Sequence, residues 1–270
     1  MTKATARERW RLLSKAIRSQ QVAAQPSPAV STRAFRSLAL VRFSESGEEG
    51  WSGVEVGERG EVKLLLVQPG LAINAQVLSG FNNTGNICLW PAEEALADWL
   101  LKQEELNWSR VAEVGAGAFG LAAFALAKHQ PAISCFISDG NPTSVASLQM
   151  TKEKNRVSNA KVSLHRWGED VGELEESMDA VIAADCFFFP HAQEDLLHTI
   201  STLLKPGGEA VLVAPERGGS LTAFLRRASR ELEVVSFEKE LFTAAFNQAG
   251  FSHSDRDRHL PCLLRLRKAP

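Results

Sequence analysis

The sequence contains no tyrosine, and only four of its 270 residues are cysteines. Any role that a tyrosine ring commonly has must therefore fall to phenylalanine, tryptophan or another residue. The cysteines, Cys88, Cys135, Cys186 and Cys262, form no C-x-x-C pair. Three of them lie in apolar runs, which is typical of buried thiols in a reducing compartment and not of a zinc site or a disulfide framework.

The chain also lacks a strong net charge and a long apolar segment. Its formal net charge is −2, so no global basic field attracts nucleic acid. No segment approaches the roughly 18 apolar residues of a membrane-spanning helix, and the first residues contain no apolar core of a secretory signal. We expect a protein of the cytoplasm, and also of the nucleus, that binds neither nucleic acid nor membrane and acts as a monomer.

Residues 1–85 are predicted to form a small α+β extension. Apolar residues recur at helical spacing over residues 8–19, which predicts a short amphipathic helix, and the composition of residues 21–31 predicts a linker. Residues 38–43 and 62–67 are predicted strands, and the charged, glycine-rich segment between them is predicted to be an exposed connection.

Residues 86–270 alternate between apolar strands and amphipathic helices, the first of which begins at Pro91. The predicted strands cover residues 110–115, 132–139, 161–167, 178–185, 209–215, 231–237 and 261–267. This alternation predicts a Rossmann-like α/β fold with a seven-stranded, mostly parallel sheet and helices on both faces. Ligands of such sheets bind at the carboxyl ends of the strands.

A glycine-rich turn follows the first of these strands. Gly115, Gly117 and Gly120 fit the pattern G-x-G-x-x-G, which allows a ligand to approach backbone N–H groups at the start of a helix. Oxidoreductases and methyltransferases share this pattern, and a turn without a ligand is the simpler alternative. Glu113 favours S-adenosylmethionine (SAM), which carries positive charges, because a carboxylate here would repel a pyrophosphate; a helix-capping carboxylate is the alternative.

Two polar or aromatic side chains close the next two strands. Asp139 lies where a carboxylate can accept hydrogen bonds from both ribose hydroxyls of a nucleoside. Trp167 can stack beside an adenine ring. The alternatives are that Asp139 caps the following helix and that Trp167 belongs to the peripheral core.

Asp185 ends the fourth strand, and three phenylalanines follow from Phe187 to Phe189. Methyl transfer from a sulfonium needs an aligned, deprotonated nucleophile. Asp185 can orient a lysine ε-amine, and a phenylalanine ring can provide a cation–π contact; alternatively, the rings fill a helix–sheet interface. The predicted sharp turn Lys205–Gly208 before the fifth strand is more familiar from methyltransferases than from dehydrogenases.

These motifs together resemble the seven-β-strand protein-lysine methyltransferases, whose signature after the fourth strand is D-x-x-Y or D-x-x-F. The resemblance implies SAM as the cofactor, no metal, and a lysine as the acceptor. The cofactor-binding residues that it implies are Trp90, Glu113, Gly115, Ala116, Gly117, Asp139, Trp167 and Ala184, and the catalytic residues are Asp185 and Phe188.

Within this group, several runs are similar to the calmodulin-lysine methyltransferases. They are FNNTGNICLWPAEEALADW, ISDGN, AADCFFF, APERGGSL and HLPCLLRL. This similarity implies that the partner is calmodulin, and that Trp90 and the polar turn before it form a wall over the cofactor and lysine channel. Glu216 stands where the family has a basic residue, and residues 238–260 form a shorter segment than expected.

Basic residues that suit an acidic partner such as calmodulin cluster at 226–230 and 256–268. Alternatives stay open: a methyltransferase of another protein or a small molecule, a nucleotide-dependent oxidoreductase, and a non-catalytic SAM-fold module. Against methylation of a nucleic-acid base, the residues after the fourth strand are D-C-F-F and not an N-P-P-Y-type tetrad.

Overall fold

The structure is a computed structural model that describes residues 37–67, 85–86, 88–104 and 106–270. Its first sheet contains three antiparallel strands in sequence order: β1 (Val41–Glu45), β2 (Trp51–Val56) and β3 (Val62–Val67). Strand β2 lies in the segment predicted to be a connection, so that prediction was wrong. Val54 and Val56 are buried, whereas Glu55 between them faces outward and pairs with a lysine of β3. This two-residue alternation is short, and the glycines and charges around it obscure it.

The second sheet carries the rest of the fold. Its strands are β4 (Arg110–Val114), β5 (Ser134–Asp139), β6 (Ala160–Leu164), β7 (Met178–Ala184), β8 (Leu204–Ala214), β9 (Glu233–Glu238) and β10 (Cys262–Arg267). They lie in the order β6-β5-β4-β7-β8-β10-β9, and β10 runs antiparallel to both of its neighbours. Strand β4 pairs in parallel with β5 on one side and β7 on the other. The order therefore reverses beside β4, which is where ligands of such sheets bind.

Helices cover both faces of this sheet, as predicted. The longer ones are α1 (Pro91–Leu101), α2 (Leu121–His129), α3 (Pro142–Asn155), α4 (Gln193–Leu203) and α5 (Ser220–Ala228); α6 (Thr243–Gln248) and α7 (Arg256–His259) are short. Helices α1 to α3 share one hydrophobic core with the small sheet, while α4 and α5 form a second core. Successive residues of β7 alternate between the two cores, because neighbouring strand residues face opposite sides of a sheet.

Strand β8 begins earlier than predicted. The expected turn Lys205–Gly208 lies inside it, as an irregularity in its pairing with β7 between Met178 and Ala180. Gly207 adopts a φ of +75° there, and its N–H donates to the carbonyl of Lys268 at 3.1 Å. The glycines thus allow a bulge within a strand and not a turn before one.

Side-chain hydrogen bonds join the small sheet to the helices. The Asn155 amide of α3 accepts from the N–H and donates to the carbonyl of Leu65, at 2.8 and 2.7 Å. The predicted helix at residues 8–19 and linker at 21–31 lie outside the described residues, and the predicted domain division after residue 85 stays a prediction. In the described part of the chain, no helix is both long and apolar enough to cross a membrane.

Candidate active site

The glycine turn after β4 is tightly enclosed. Gly115 and Gly117 have φ values of +68° and +61°, which favour glycine. A Cβ atom at Gly115 would lie 2.7 Å from the Trp167 ring and 2.8 Å from the Cys186 sulfur. The N–H of Ala116 donates to the carbonyl of Ser138 at 3.0 Å. The turn therefore needs glycine because other groups approach its backbone closely.

The end of the polar segment that precedes α1 lies directly on this turn. The N–H of Ala118 donates to the carbonyl of Gly85 at 3.0 Å, and a Cβ atom at Gly117 would lie 2.7 Å from the same oxygen. Asn86 is buried and accepts a hydrogen bond from the hydroxyl of Ser144 at 2.8 Å. Gly85 thus contacts the glycine turn, whereas residues 81–84 lie outside the described part of the chain. The wall over the cofactor and lysine channel stays a prediction.

Asp139 ends β5 beside the glycine turn. Its two carboxylate oxygens accept hydrogen bonds from the N–H groups of Gly117 and Asn141, both at 2.8 Å. The cap of α3 is Asn141, whose side chain accepts from the N–H of Thr143 at 2.8 Å. A carboxylate has about four acceptor positions, so the hydrogen bonds from Gly117 and Asn141 leave Asp139 able to accept from a ribose hydroxyl as well.

Glu113 is fully enclosed and forms a pair with Glu93 of α1. Glu113 accepts from the N–H of Ala123 at 3.0 Å and Glu93 accepts from the N–H of Ala122 at 2.9 Å, so together they cap α2. Burial, and then the neighbouring Glu93, raise the pKa of Glu113 well above its usual range. The second oxygen of Glu113 accepts no hydrogen bond from an N–H or O–H group, so nothing compensates the burial of its charge.

These contacts change the argument for Glu113. Its carboxyl caps a helix, and a raised pKa weakens the fixed negative charge on which the preference for SAM was based. A direct contact between Glu113 and SAM stays a prediction.

A wider set of acids surrounds the thiol of Cys186, which lies within 3.8 Å of the Gly115 carbonyl. Burial raises the pKa of this thiol well above its usual range, and negative charge from Asp185, Asp139, Glu93 and Glu113 raises it further. All four cysteines are buried, as predicted. Acidic residues at this edge suit a cationic nucleoside such as SAM better than a pyrophosphate, and Arg217 neutralises the charge of one of them, Asp185.

Asp185 follows β7 and adopts a φ of +58°. Its two carboxylate oxygens accept hydrogen bonds from the two terminal nitrogens of Arg217, at 2.5 and 2.6 Å. Burial raises the pKa of Asp185, and the Arg217 guanidinium lowers it in part. Sequence analysis missed Arg217, although it follows the end of a buried strand and precedes two glycines, a pattern that indicates a functional loop.

The aromatic residues around this ion pair have separate roles. Phe187 is buried and packs on Phe224 of α5, with ring centres 4.5 Å apart. This ring therefore fills a helix–sheet interface, which was the alternative to a role in the site. The Phe188 ring instead lies beside Arg217, whose guanidinium carbon is 5.6 Å from the ring centre. The Trp90 ring is the second ring that contacts Arg217, and its centre is 5.2 Å from the guanidinium carbon. One carboxylate and two rings therefore surround a cation.

The remaining predicted positions lie around the same edge of the sheet. Ala116 is buried in the glycine turn, Ala184 is the last residue of β7, and Trp167 packs over Gly115. The glycine turn, the Asp139 carboxylate, the Trp167 indole and the surrounding acids together fit SAM; the individual contacts with SAM stay predictions.

Solved structures share this fold. A protein of Agrobacterium tumefaciens described as a predicted O-methyltransferase superposes with a TM-score of 0.50 at 16% identity, covering 64% of this chain and 81% of its own. A Pyrococcus horikoshii protein superposes with a TM-score of 0.51 at 14% identity, covering 65% of this chain and 88% of its own. The fold is that of the class I SAM-dependent methyltransferases, as predicted.

Sequence comparison is more specific. The model of the lysine methyltransferase family matches residues 68–231, so the chain belongs to that family. The calmodulin-lysine N-methyltransferase of Arabidopsis thaliana is 31% identical over 244 residues, which span 81% of this chain and 79% of that protein. The chain is therefore a SAM-dependent protein-lysine N-methyltransferase, and its cofactor is SAM.

Proposed function

We propose that this enzyme methylates a lysine of calmodulin. The observation that carries the proposal is the Asp185 carboxylate, which with the Trp90 and Phe188 rings encloses a cation site at the carboxyl edge of the sheet. A lysine ammonium has the charge for this site, and its four-carbon stem suits a narrow aromatic channel. The similarity to the Arabidopsis thaliana enzyme supports calmodulin as the protein that supplies the lysine.

Different residues of the site would bind the cofactor, align the lysine and take up its proton. Asp139 and Trp167 would hold the nucleoside of SAM, and Trp90 and Phe188 would align the lysine. Asp185 would orient its nitrogen and take up its proton. The chemistry that SAM supplies when bound is a methyl group: its S–CH3 bond breaks as the N–CH3 bond to the lysine forms, leaving S-adenosylhomocysteine.

Only some of the basic residues expected to attract an acidic partner lie near this site. Helix α7 carries Arg256 and Arg258, and the carbonyl of Arg258 accepts a hydrogen bond from Nε of Arg217 at 3.2 Å. Arg267 of β10 lies opposite Glu209 in the strand pairing, at the far end of β8 from the site, and Arg265 forms an ion pair with Glu209. Arg256 and Arg258 also pair with Glu240 and Asp255, at 2.5 and 3.9 Å. Helix α7 therefore offers an acidic partner two arginines whose charges are already partly neutralised.

The test is transfer of label from tritiated SAM to calmodulin, with mass spectrometry of the product. Label on one lysine of calmodulin is expected, and Asp185→Asn should abolish it while S-adenosylhomocysteine still binds. Asp179→Asn, at the other end of β7, is the matched control. Cofactor binding without label on any protein would instead indicate a binding module, and label on other proteins alone would reject calmodulin.

The proposal includes a monomeric enzyme of the cytoplasm and nucleus. Buried, free thiols support a reducing compartment. Sedimentation at micromolar concentration tests the monomer, and cell fractionation tests the location. A dimer that sediments without dissociating, or enrichment in an organelle, would contradict these two points.

A further inference from the structure

Arg217 fills the position that the proposed reaction needs for a substrate cation. Its guanidinium forms a two-pronged ion pair with Asp185 and lies against the rings of Trp90 and Phe188. The side chains of Arg217 and Asp185 are only 14% and 7% exposed. The carboxylate and rings expected to receive the lysine are therefore already engaged by a residue of the same chain.

The loop that carries Arg217 is anchored so that the side chain points into the site. Arg217, Gly218 and Gly219 have φ values of +39°, +70° and +82°. The N–H of Arg217 donates to the carbonyl of Asp257 at 2.6 Å, and the N–H of Gly218 donates to the Asp257 carboxylate at 2.9 and 3.0 Å. A non-glycine residue seldom adopts positive φ, so surrounding contacts must maintain it.

We propose that Arg217 is a specificity-determining residue, because its guanidinium occupies the acceptor site and a lysine can enter only by displacing it from Asp185. This inference rests on the proposed function and adds a condition to it. The loop backbone can stay bound to Asp257 while the flexible side chain leaves.

Displacement has a consequence for the choice of acceptor. When a short peptide binds, a single ammonium replaces a buried ion pair that has two parallel hydrogen bonds. The new contact stabilises the complex less than the lost pair did, so binding is unfavourable. A docked protein adds binding energy from surface outside the channel, which can offset the loss of that pair. Arg217 should therefore exclude free lysine and short peptides and admit lysines of docked proteins.

The experiment compares two acceptors, a lysine peptide of about ten residues and intact calmodulin. Arg217→Gln should raise kcat/KM for the peptide by about tenfold or more, chiefly through a lower KM, and change kcat/KM for calmodulin by less than about threefold. Arg217→Lys keeps the charge but loses the two-pronged geometry, so it should lie between Gln and the native residue. Arg59→Gln, at an exposed arginine in the turn between β2 and β3, is the matched control and should behave as the native enzyme.

Calorimetry adds binding measurements that do not depend on turnover. Peptide affinity in the presence of S-adenosylhomocysteine should rise in Arg217→Gln, and S-adenosylhomocysteine affinity should not change. Equal peptide affinity in the variant and the native enzyme, or lower transfer to both acceptors with intact cofactor binding, would overturn the inference. If Arg217→Gln does not fold, Arg217→Lys decides by the same criteria.

The failure of the proposed function is distinguishable from the failure of this inference. A native enzyme that binds S-adenosylhomocysteine but methylates no lysine would reject the function, and the inference with it. A native enzyme that methylates calmodulin, together with an Arg217→Gln variant that still discriminates against the peptide, would reject the inference alone.

Discussion

Replacing Asp139 by asparagine tests whether the carboxylate beside the glycine turn binds the cofactor. In the structure its two oxygens accept the N–H groups of Gly117 and Asn141. Asparagine has one acceptor oxygen, and its NH2 group must then face one of these two N–H groups. The variant thus loses a backbone hydrogen bond as well as the charge and an acceptor for the ribose.

The two losses have different magnitudes and different readouts. Leaving one partly buried N–H without a partner costs about 1–3 kcal/mol of folding stability. Losing a hydrogen bond from a ribose hydroxyl to a charged acceptor costs about 1.5–3 kcal/mol of binding, which corresponds to about 10- to 150-fold weaker affinity. Calorimetric titration with S-adenosylhomocysteine measures the binding loss, and urea unfolding measures the stability loss.

Asp179 provides a matched control at the other end of the sheet. One oxygen of its carboxylate accepts two backbone N–H groups, those of Ser109 and Arg110, at 2.7 and 2.8 Å, and the other oxygen pairs with Lys205. An asparagine oxygen at this position can accept both N–H groups, so Asp179→Asn loses chiefly the ion pair with Lys205. The variant should leave S-adenosylhomocysteine affinity unchanged. If Asp139→Asn also left the affinity unchanged, Asp139 would be a residue of the turn alone, and the argument for a ribose contact would fail.

Three further predictions concern Trp90, Glu94 and salt. Trp90→Ala should weaken binding of SAM and of the lysine acceptor about tenfold, from loss of about 1–2 kcal/mol of ring contact, with a small change in Tm; a collapse of Tm at unchanged affinity would make Trp90 core only. The buried carboxyl of Glu94 accepts from Ser37 and Leu38, and burial raises its pKa from 4.5 to about 8. Between these pH values the folded state holds a proton that the unfolded state lacks, so stability should fall by up to about 1.4 kcal/mol per pH unit as pH rises. Glu94→Gln should flatten that slope in pH-dependent unfolding, and an unchanged slope would contradict the assignment. The KM for calmodulin should rise with added salt more than that for a neutral peptide, since salt screens the charges of α7; equal salt dependence would exclude steering by α7.

The edge of the sheet on which the site lies could be predicted from the sequence. Asp139 and Asp185 each follow an apolar run, Trp167 follows a short strand, and parallel strands bring their carboxyl ends to one edge. Local pattern therefore brings these residues together without knowledge of any contact. The fold class follows from the same alternation of strands and helices.

Contacts between distant segments leave no such pattern. The Arg217–Asp185 pair, the close approach of Gly85 to Gly117 and the pairing of Glu93 with Glu113 depend on tertiary packing. A periodic apolar pattern indicates which face of a helix or strand is buried, but it does not indicate which residues pack against that face. Glu113 illustrates the limit, because its position beside the turn was evident while the direction of its carboxyl was not.

The charges of the site explain why one arginine matters to the chemistry as well as to specificity. Acids around Cys186 suit a cationic cofactor, yet the same field stabilises a lysine in its protonated, unreactive form. Burial raises the pKa of Asp185 and Arg217 lowers it. An entering ammonium lowers it too, but a lysine can give up its proton, whereas a guanidinium cannot. Once Arg217 has left and the lysine has passed its proton to Asp185, neither cation is beside Asp185 to lower its pKa. Burial then favours the protonated carboxyl, so Asp185 retains that proton. Exchange of arginine for lysine would thus turn Asp185 from the partner of a fixed charge into a base for the acceptor.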